Sequence, residues 1–346
     1  MSQINVGLVG FGLAGRTLHA PLIVASGMRI AAVVTRQGEA VLASFPDAEV
    51  KSSIEALLEV RPLDLVVVVS PNRWHFPQAL LALEAGKHVV VDKPLGVSAT
   101  EGALLVAAAE RVGRKLSVFQ NRRWDSDFLT LQSLLAAGTL GEPQLFRARW
   151  DRYRPEVVVR WRERKEAGAG ILFDLGSHLI DQALCLFGAP EWVQADIFTQ
   201  RAGANVDDAF ELQMGRGALR IALGASSLAA DHGFRYQLNG TLASFRKSGL
   251  DQQEAQLKAG LSPNDRQFGL EPQMQWGRLT VGATAHTERV EPQRGVWLNF
   301  YRQMRLAIES DAPVPVMAMD ACKVLRIIEA ARESAAQRRV IALPPL

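Results

Sequence analysis

The chain has 346 residues, of which 48% are hydrophobic and 22% charged. This is ordinary globular usage and excludes a disordered, collagen-like or coiled-coil chain, while the length suits about two domains. Lys and Arg number 39 against 36 Asp and Glu, a formal net charge of +3, too slight an excess to point to nucleic acid. Cys185 and Cys322 both fall in apolar helical patterns. They form neither a metal spacing nor a disulfide framework, so no metal is expected and both read as small core residues. The N-terminus lacks the basic segment and cleavage site of a signal peptide, and the apolar run at 65–69 has the length of a strand, not of a membrane span. A reduced, cytoplasmic setting without a membrane partner is the expectation.

Strands are expected at 4–9, 29–35, 64–69, 88–91 and 115–119, with helices at 14–26, 53–58, 76–85 and 99–113 between them. The strands are apolar on both faces, as in a parallel sheet covered by helices on both sides. Right-handed crossovers then make a doubly wound, Rossmann-type α/β domain over 1–120. After residue 120 the character changes. A helix at 126–136 precedes Gly138, Gly141, Pro143 and an Arg- and Trp-rich, strand-like stretch. A second helix fits 174–187, ended by Gly188 and Pro190. From 191 to about 290 the pattern is strand, turn, strand, with Asn239-Gly240 as one turn signal, and helices near 298–310 and 319–337 close the chain. Residues 121–346 therefore read as an α+β domain with a large, mainly antiparallel open sheet. The stretch 249–277, rich in Gln, Gly and Pro, reads as a long covering loop.

The string GFGLAG follows the first strand and opens a helix. Gly10 permits the tight turn, Gly12 admits a pyrophosphate to the backbone, and Gly15 lets helix and sheet pack closely. Phe11, Leu13 and Ala14 complete this cofactor-binding loop. A Gly-rich turn without a ligand is the bland reading, which the strand–turn–helix context disfavours. The second strand ends in Thr35-Arg36-Gln37, without the acid that would bond both ribose hydroxyls and repel a 2′-phosphate. Thr35 by its hydroxyl and Arg36 by its guanidinium can hold that phosphate, so NADP is expected, with NAD as the alternative. Otherwise Arg36 is an exposed strand-end cation.

The third and fourth of these strands end in SPNRWH (Ser70, Pro71, Asn72 to His75) and in Asp92-Lys93-Pro94. Both are carboxyl ends of parallel strands, where such sheets bind ligands. A lysine there can stabilise developing alkoxide charge, although a lone strand-end lysine is more often a surface residue. Asp174 and His178 stand four apart on a helix. This spacing suits either a carboxylate that orients an imidazole for acid–base chemistry or an ordinary helix-surface pair. Gly168-Ala169-Gly170 before them suggests a chain brought close to a ligand. Residues 147–165 gather Arg147, Arg149, Arg152, Arg154, Arg160, Arg162, Arg164 and Lys165 around Trp150, Tyr153 and Trp161. Tyr153 and Trp161 read as sugar-ring contacts or core.

Taken together, GFGLAG, the DKP at 92–94 and DLGSH at 174–178 resemble the Gfo/Idh/MocA oxidoreductases over the whole chain. NRRWDSDFLT (121–130), RYRPEV (152–157), RWRE (160–163), DLGSHLIDQ (174–182) and RIIEAA (326–331) resemble in particular the NADP-dependent scyllo-inositol dehydrogenases of that family. The family's usual motif is EKP, so Asp92 is one methylene shorter. The resemblance implies Lys93, Asp174 and His178 as catalytic residues. His178 would accept the hydroxyl proton as a secondary alcohol becomes a ketone, Lys93 would polarise the oxygen, and Asp174 would orient the site. It places Asn72 and Arg123 near the cofactor and implies a homodimer or homotetramer through the open sheet. The implied substrate is a cyclic polyol or sugar. Alternatives are another sugar or keto-sugar reductase, glycoside cleavage through transient oxidation, and a non-catalytic NADP-binding sensor.

Overall fold

A computed structural model of the chain describes residues 3–158 and 161–345. Arg160, one of the basic residues noted above, lies outside them. The chain forms two compact units. The first takes the residues up to Asn121 together with Gln253–Phe268 and Val296–Cys322. The second takes Arg122–Gln252, Gly269–Gly295 and the residues from Lys323 onward.

The first unit is built on six strands: β1 (Asn5–Val9), β2 (Arg29–Val34), β3 (Glu49–Lys51), β4 (Leu65–Val68), β5 (His88–Asp92) and β6 (Leu116–Phe119). All pair in parallel, in the order β3-β2-β1-β4-β5-β6. The order reverses between β1 and β4, the switch point outside which open α/β sheets bind ligands. The residues of β4 and Val89–Val91 of β5 have no exposure at all. Burying each such side chain contributes about 1.5–3 kcal/mol, which is why these strands carry no polar face. The covering helix Ala99–Val112 starts where the Ser98 hydroxyl accepts from Glu101 N at 3.1 Å, and it stops at Gly113 in the left-handed conformation. The five strands expected here all form. The structure adds β3 and the helix Gly38–Ser44, which the sequence reading lacks.

The second unit carries a nine-stranded sheet made of β7 (Pro143–Arg149), β8 (Trp192–Phe198), β9 (Ala209–Arg216), β10 (Leu219–Ser226), β11 (Tyr236–Gly240), β12 (Ala243–Lys247), β13 (Gly277–Val281), β14 (Thr287–Val290) and β15 (Ile341–Ala342). Their order is β14-β13-β12-β11-β7-β10-β9-β8-β15, with β7 and β10 parallel and the other pairs antiparallel. One face is core: Phe146, Leu212, Ile221, Leu223, Tyr236 and Leu238 are buried, and Phe146 meets Phe187 of the helix Ser177–Phe187 at 5.2 Å. The opposite face presents Gln194, Glu211, Arg220, Arg147 and Arg246.

Three expectations need correction. Asn239 and Gly240 do not form the turn but end β11, where a Cβ on Gly240 would lie 2.0 Å from the Leu140 carbonyl oxygen. The stretch 249–277 is not a bare loop, since it contains the helix Gln253–Lys258 and divides between the two units. Cys185 is exposed on its helix, and Cys322 alone is buried.

His88, at the start of β5, accepts a hydrogen bond from Lys115 N through Nδ1 at 3.0 Å. Burial, then the charges of Arg114 and Lys115, lower its pKa from 6.5 to about 4. A histidine with a depressed folded pKa contributes stability that is complete above pH 6.5 and is lost as the pH falls toward 4. His88→Gln is therefore expected to flatten part of the acid-side loss of stability, measured by urea unfolding between those pH values.

Candidate active site

Gly10 N donates to Val34 O at 3.0 Å and Val69 N donates to Val9 O at 2.8 Å. These bonds align the carboxyl ends of β1, β2 and β4. Gly10 through Gly15, Thr35, Arg36, Ser70, Pro71 and Asn72 stand there, with Asp92 and Lys93 at the same end of β5. Gly10 has φ +106°, and a Cβ on it would lie 2.8 Å from Val69 O. A Cβ on Gly15 would lie 2.2 Å from Gly10 O, whereas one on Gly12 would meet nothing within 4 Å. The turn is thus closed on the protein side and open at Gly12, ahead of the helical segment Ala14–His19. That shape fits a pyrophosphate, which the free N–H groups at a helix start attract. Leu13 is 59% exposed, but Phe11 is buried edge-on to Phe45 and belongs to the core. Thr35 Oγ1 accepts from Gln37 N at 3.0 Å, and Arg36 is exposed. No acid stands at this strand end, which suits a 2′-phosphate.

His75 is buried, with Nδ1 2.6 Å from Pro94 O and Nε2 2.8 Å from Ser70 O. It braces the two loops after β4 and β5 against each other. Burial lowers its pKa, against the raising effects of the Pro94 carbonyl and the Asp92 charge. The sequence reading set His75 against the cofactor; both ring nitrogens are instead engaged by main-chain oxygens. The Lys93–Pro94 peptide is cis. Lys93 is half-buried, and its N–H donates to Asp92 Oδ1 at 2.8 Å. Burial pushes the Asp92 carboxyl up, but His19, Lys93 and His75 outweigh it and leave the group below its ordinary value.

In the second unit Asp174 lies in a π-type turn, Leu172–Gly176, that leads into the helix Ser177–Phe187 bearing His178. Such turns concentrate at functional sites. Asp207 holds the entry: its Oδ2 accepts from Leu172 N at 2.8 Å, and its carbonyl accepts from Ile171 N at 2.9 Å. Gly170 has φ +94°, and a Cβ on it would lie 2.1 Å from Asp207 Oδ1. The glycine after Ala169 therefore serves a close approach to a carboxylate rather than to a ligand. Asp174 is 3.5 Å from Arg162 Nε and 3.7 Å from Arg152 Nη1. His178 is buried, 5.8 Å from the Trp150 ring at 31°. The guanidiniums of Arg122, Arg235 and Arg152 lie 4.6, 4.8 and 5.4 Å from the same ring. An imidazole held against an indole can take up and release a proton at a fixed position, and a carboxylate flanked by two guanidiniums keeps a fixed direction.

Arg123 forks onto Asp181, with Nε–Oδ2 at 2.9 Å and Nη2–Oδ1 at 2.7 Å. Tyr153 is 58% exposed, which removes the core reading, and Trp161 is half-buried beside the Arg162 guanidinium at 4.7 Å. Arg201 pairs with Asp208 at 2.9 Å and Glu163 at 2.7 Å, and Nη1 also donates to the Arg154 and Glu156 carbonyls. It staples the segment that leads to Trp161. Sequence reasoning missed Trp150 as a neighbour of His178, and Asp207 and Arg201 altogether. A buried aromatic in the basic stretch was the signal for the first; Asp207 on Leu172 and Arg201 on Glu163, Arg154 and Glu156 act across tens of positions and leave no local pattern.

The fold and the glycine turn define a dinucleotide-binding α/β oxidoreductase scaffold. The pattern described as the oxidoreductase family's NAD-binding Rossmann fold matches residues 4–120, and that of its C-terminal alpha/beta domain matches 132–343. The chain belongs to the Gfo/Idh/MocA oxidoreductase family. It is 40% identical to scyllo-inositol 2-dehydrogenase (NADP(+)) IolW of Bacillus subtilis, over 99% of this chain and 97% of the relative. D-Glucoside 3-dehydrogenase of Escherichia coli is 30% identical over 55% of each chain. The solved structure of the oxidoreductase yvaA from Bacillus subtilis superposes with a TM-score of 0.97 at 40% identity, covering 99% of both chains.

The two glycines separate packing from binding. Gly170→Ala is expected to lower unfolding stability by about 2 kcal/mol or more. Gly12→Ala, with open space around it, stays within about 0.5 kcal/mol of the parent yet weakens dinucleotide binding at least about tenfold. Urea melts and titration calorimetry check both.

Proposed function

We propose that the protein is an NADP-dependent dehydrogenase interconverting a secondary alcohol and a ketone on a cyclic polyol or sugar, with a scyllo-inositol-like ring as the favoured substrate. The observation that carries this reading is Lys93: half-buried, anchored through its own N–H by Asp92, at the carboxyl end of β5, on the same end of the sheet as a glycine turn open to a phosphate. The buried His178 and the Asp174 carboxylate supply the second half of the chemistry. The full-length likeness to an NADP(+) scyllo-inositol dehydrogenase supports the substrate class, and the likeness to a glucoside dehydrogenase keeps a sugar ring in range.

In this reading Gly10, Gly12, Leu13, Ala14 and Gly15 hold the pyrophosphate, Thr35 and Arg36 the 2′-phosphate, and Ser70, Pro71 and Asn72 line the cofactor. A bound nicotinamide supplies the hydride acceptor. Lys93 donates a hydrogen bond to the substrate oxygen and stabilises its developing negative charge. His178 accepts the hydroxyl proton, and Asp174, held between Arg152 and Arg162, orients the substrate. Trp161 and Tyr153 offer the ring faces and hydroxyl that polyols favour. Among the described residues no helix is long and apolar enough to cross a membrane.

The open sheet face supports self-association. Arg147 faces Gln237, Gln237 faces Arg246, Arg246 faces Arg278, and Arg278 faces Arg289 across five strands. Like charges so placed cost stability until opposite charge covers them. An acidic residue of the same sheet in a second copy, such as the exposed Asp196 of β8, would supply it.

Lys93→Ala and His178→Ala are each expected to lose about 10²-fold or more in turnover while keeping NADP affinity. Near-normal turnover in both removes the mechanism. Arg36→Ala is expected to raise the NADP Michaelis constant about ten- to a hundredfold and leave that for NAD unchanged. A panel of inositols and sugars assayed with both cofactors decides the substrate. Tight NADP binding with no turnover on any member points instead to a sensor, and turnover without net absorbance change points to glycoside cleavage.

A further inference from the structure

Behind Lys93 lies a buried polar chain that the reaction above does not use. His19, at the end of the segment Ala14–His19, has no solvent exposure. Its Nδ1 is 2.6 Å from the hydroxyl of Tyr301, also fully buried, on the helix Leu298–Ser310. Its Nε2 is 3.7 Å from Asp92 Oδ1 and, among the described residues, has no hydrogen-bond partner. The Phe119 ring, centred 4.2 Å from the imidazole, and Tyr301 hold the ring plane. Asp92 Oδ1 is also the atom that receives the Lys93 N–H.

A neutral imidazole has one donor and one acceptor nitrogen. A carboxylate can only accept, so the proton belongs on Nε2, and Tyr301 then donates its hydroxyl proton to Nδ1. We propose that Tyr301, His19 and Asp92 form a positioning relay that sets the orientation of the Lys93 turn, with Tyr301 as donor, His19 in the Nε2–H tautomer, and Asp92 as the acceptor shared with Lys93 N. The relay runs from the helical segment after the glycine turn to the strand bearing Lys93 through the Tyr301–His19 hydrogen bond and the 3.7 Å approach of His19 Nε2 to Asp92. The charged groups facing Asp92 are His19, Lys93 and His75; Tyr301 faces it through His19. The 3.7 Å separation exceeds the 2.7–3.2 Å of an N–H···O bond. The relay is therefore long at one link, and a carboxylate one methylene further out reaches it.

The consequence for turnover rests on the dehydrogenase reading; the tautomer does not. Two-bond ¹H–¹⁵N spectra of the wild-type protein are expected to show His19 with its proton on Nε2, and a proton on Nδ1 overturns the relay whatever the enzyme does. In kinetics, Tyr301→Phe is expected to lower kcat about fivefold to tenfold, with unchanged NADP affinity and a displaced pH profile of kcat. Asp92→Glu in that background is expected to recover at least half of the loss. A Tyr301→Phe profile that superimposes on the wild type overturns the relay. A wild-type protein inactive on every polyol and sugar sinks the dehydrogenase reading and leaves the tautomer measurement to decide the relay.

Discussion

The first unit depends on one close approach. A side chain on Gly15 would collide with the Gly10 carbonyl oxygen, so only glycine lets the first helical segment descend onto the sheet at this angle. From that contact follow the others. Gly10 can turn with φ +106° and still donate to Val34 O. The helix start then faces outward at Gly12, and His19, four residues past Gly15, drops to where it meets Tyr301 and Asp92. A backbone contact of this kind is not replaceable by hydrophobic repacking, because what it controls is direction rather than buried area.

The second unit solves a different problem, that of keeping many charges in place. Arg201 with Asp208 and Glu163, and Arg123 with Asp181, are almost withdrawn from water. Removing two charges from water costs about what their attraction returns, so these pairs do not account for the stability of the unit. Their forked geometry does explain orientation. Arg201 reaches two carboxylates and two main-chain carbonyls from one planar group, which a lysine cannot do. The segment carrying Arg152, Arg154 and Arg162 is thereby fixed relative to Asp174. Around Trp150 three guanidiniums share one indole face system, and that same ring limits how His178 can turn.

The sequence made the parallel sheet legible because β1, β4 and β5 are covered on both sides and their centres must be apolar on both faces. β3 escaped because Glu49-Val50-Lys51 is three residues long and polar at both ends. The helix Gly38–Ser44 escaped because it buries little beyond Val41. The glycine turn was readable since its spacing is local. His19–Tyr301 and Gly170–Asp207 were not, since each pair is distant in the chain and each partner looks ordinary alone. Gly170 carried a signal whose cause was misread: the neighbour that excludes a side chain is a carboxylate of the same unit. Cys185 shows the converse error, since an apolar helical pattern of period 3.6 still leaves an outer face for one small residue.

The two units share a rule of construction. In the first, a carboxylate accepts the main-chain N–H of the residue proposed to polarise the substrate: Asp92 on Lys93. In the second, a carboxylate accepts the main-chain N–H at the entry of the turn bearing the proposed orienting acid: Asp207 on Leu172, two residues before Asp174. Burial pushes Asp207 up, whereas Asp92 is drawn down by the cations and histidines around it. The two acceptors therefore differ in how firmly they stay ionised. Asp92 faces positive groups and remains a strong acceptor, so the Lys93 turn keeps its anchor when protons become abundant. Asp207 has chiefly main-chain N–H groups and Arg332, 3.9 Å away, to oppose its burial. As the pH falls, the entry of the Asp174 turn should therefore loosen before the Lys93 turn does.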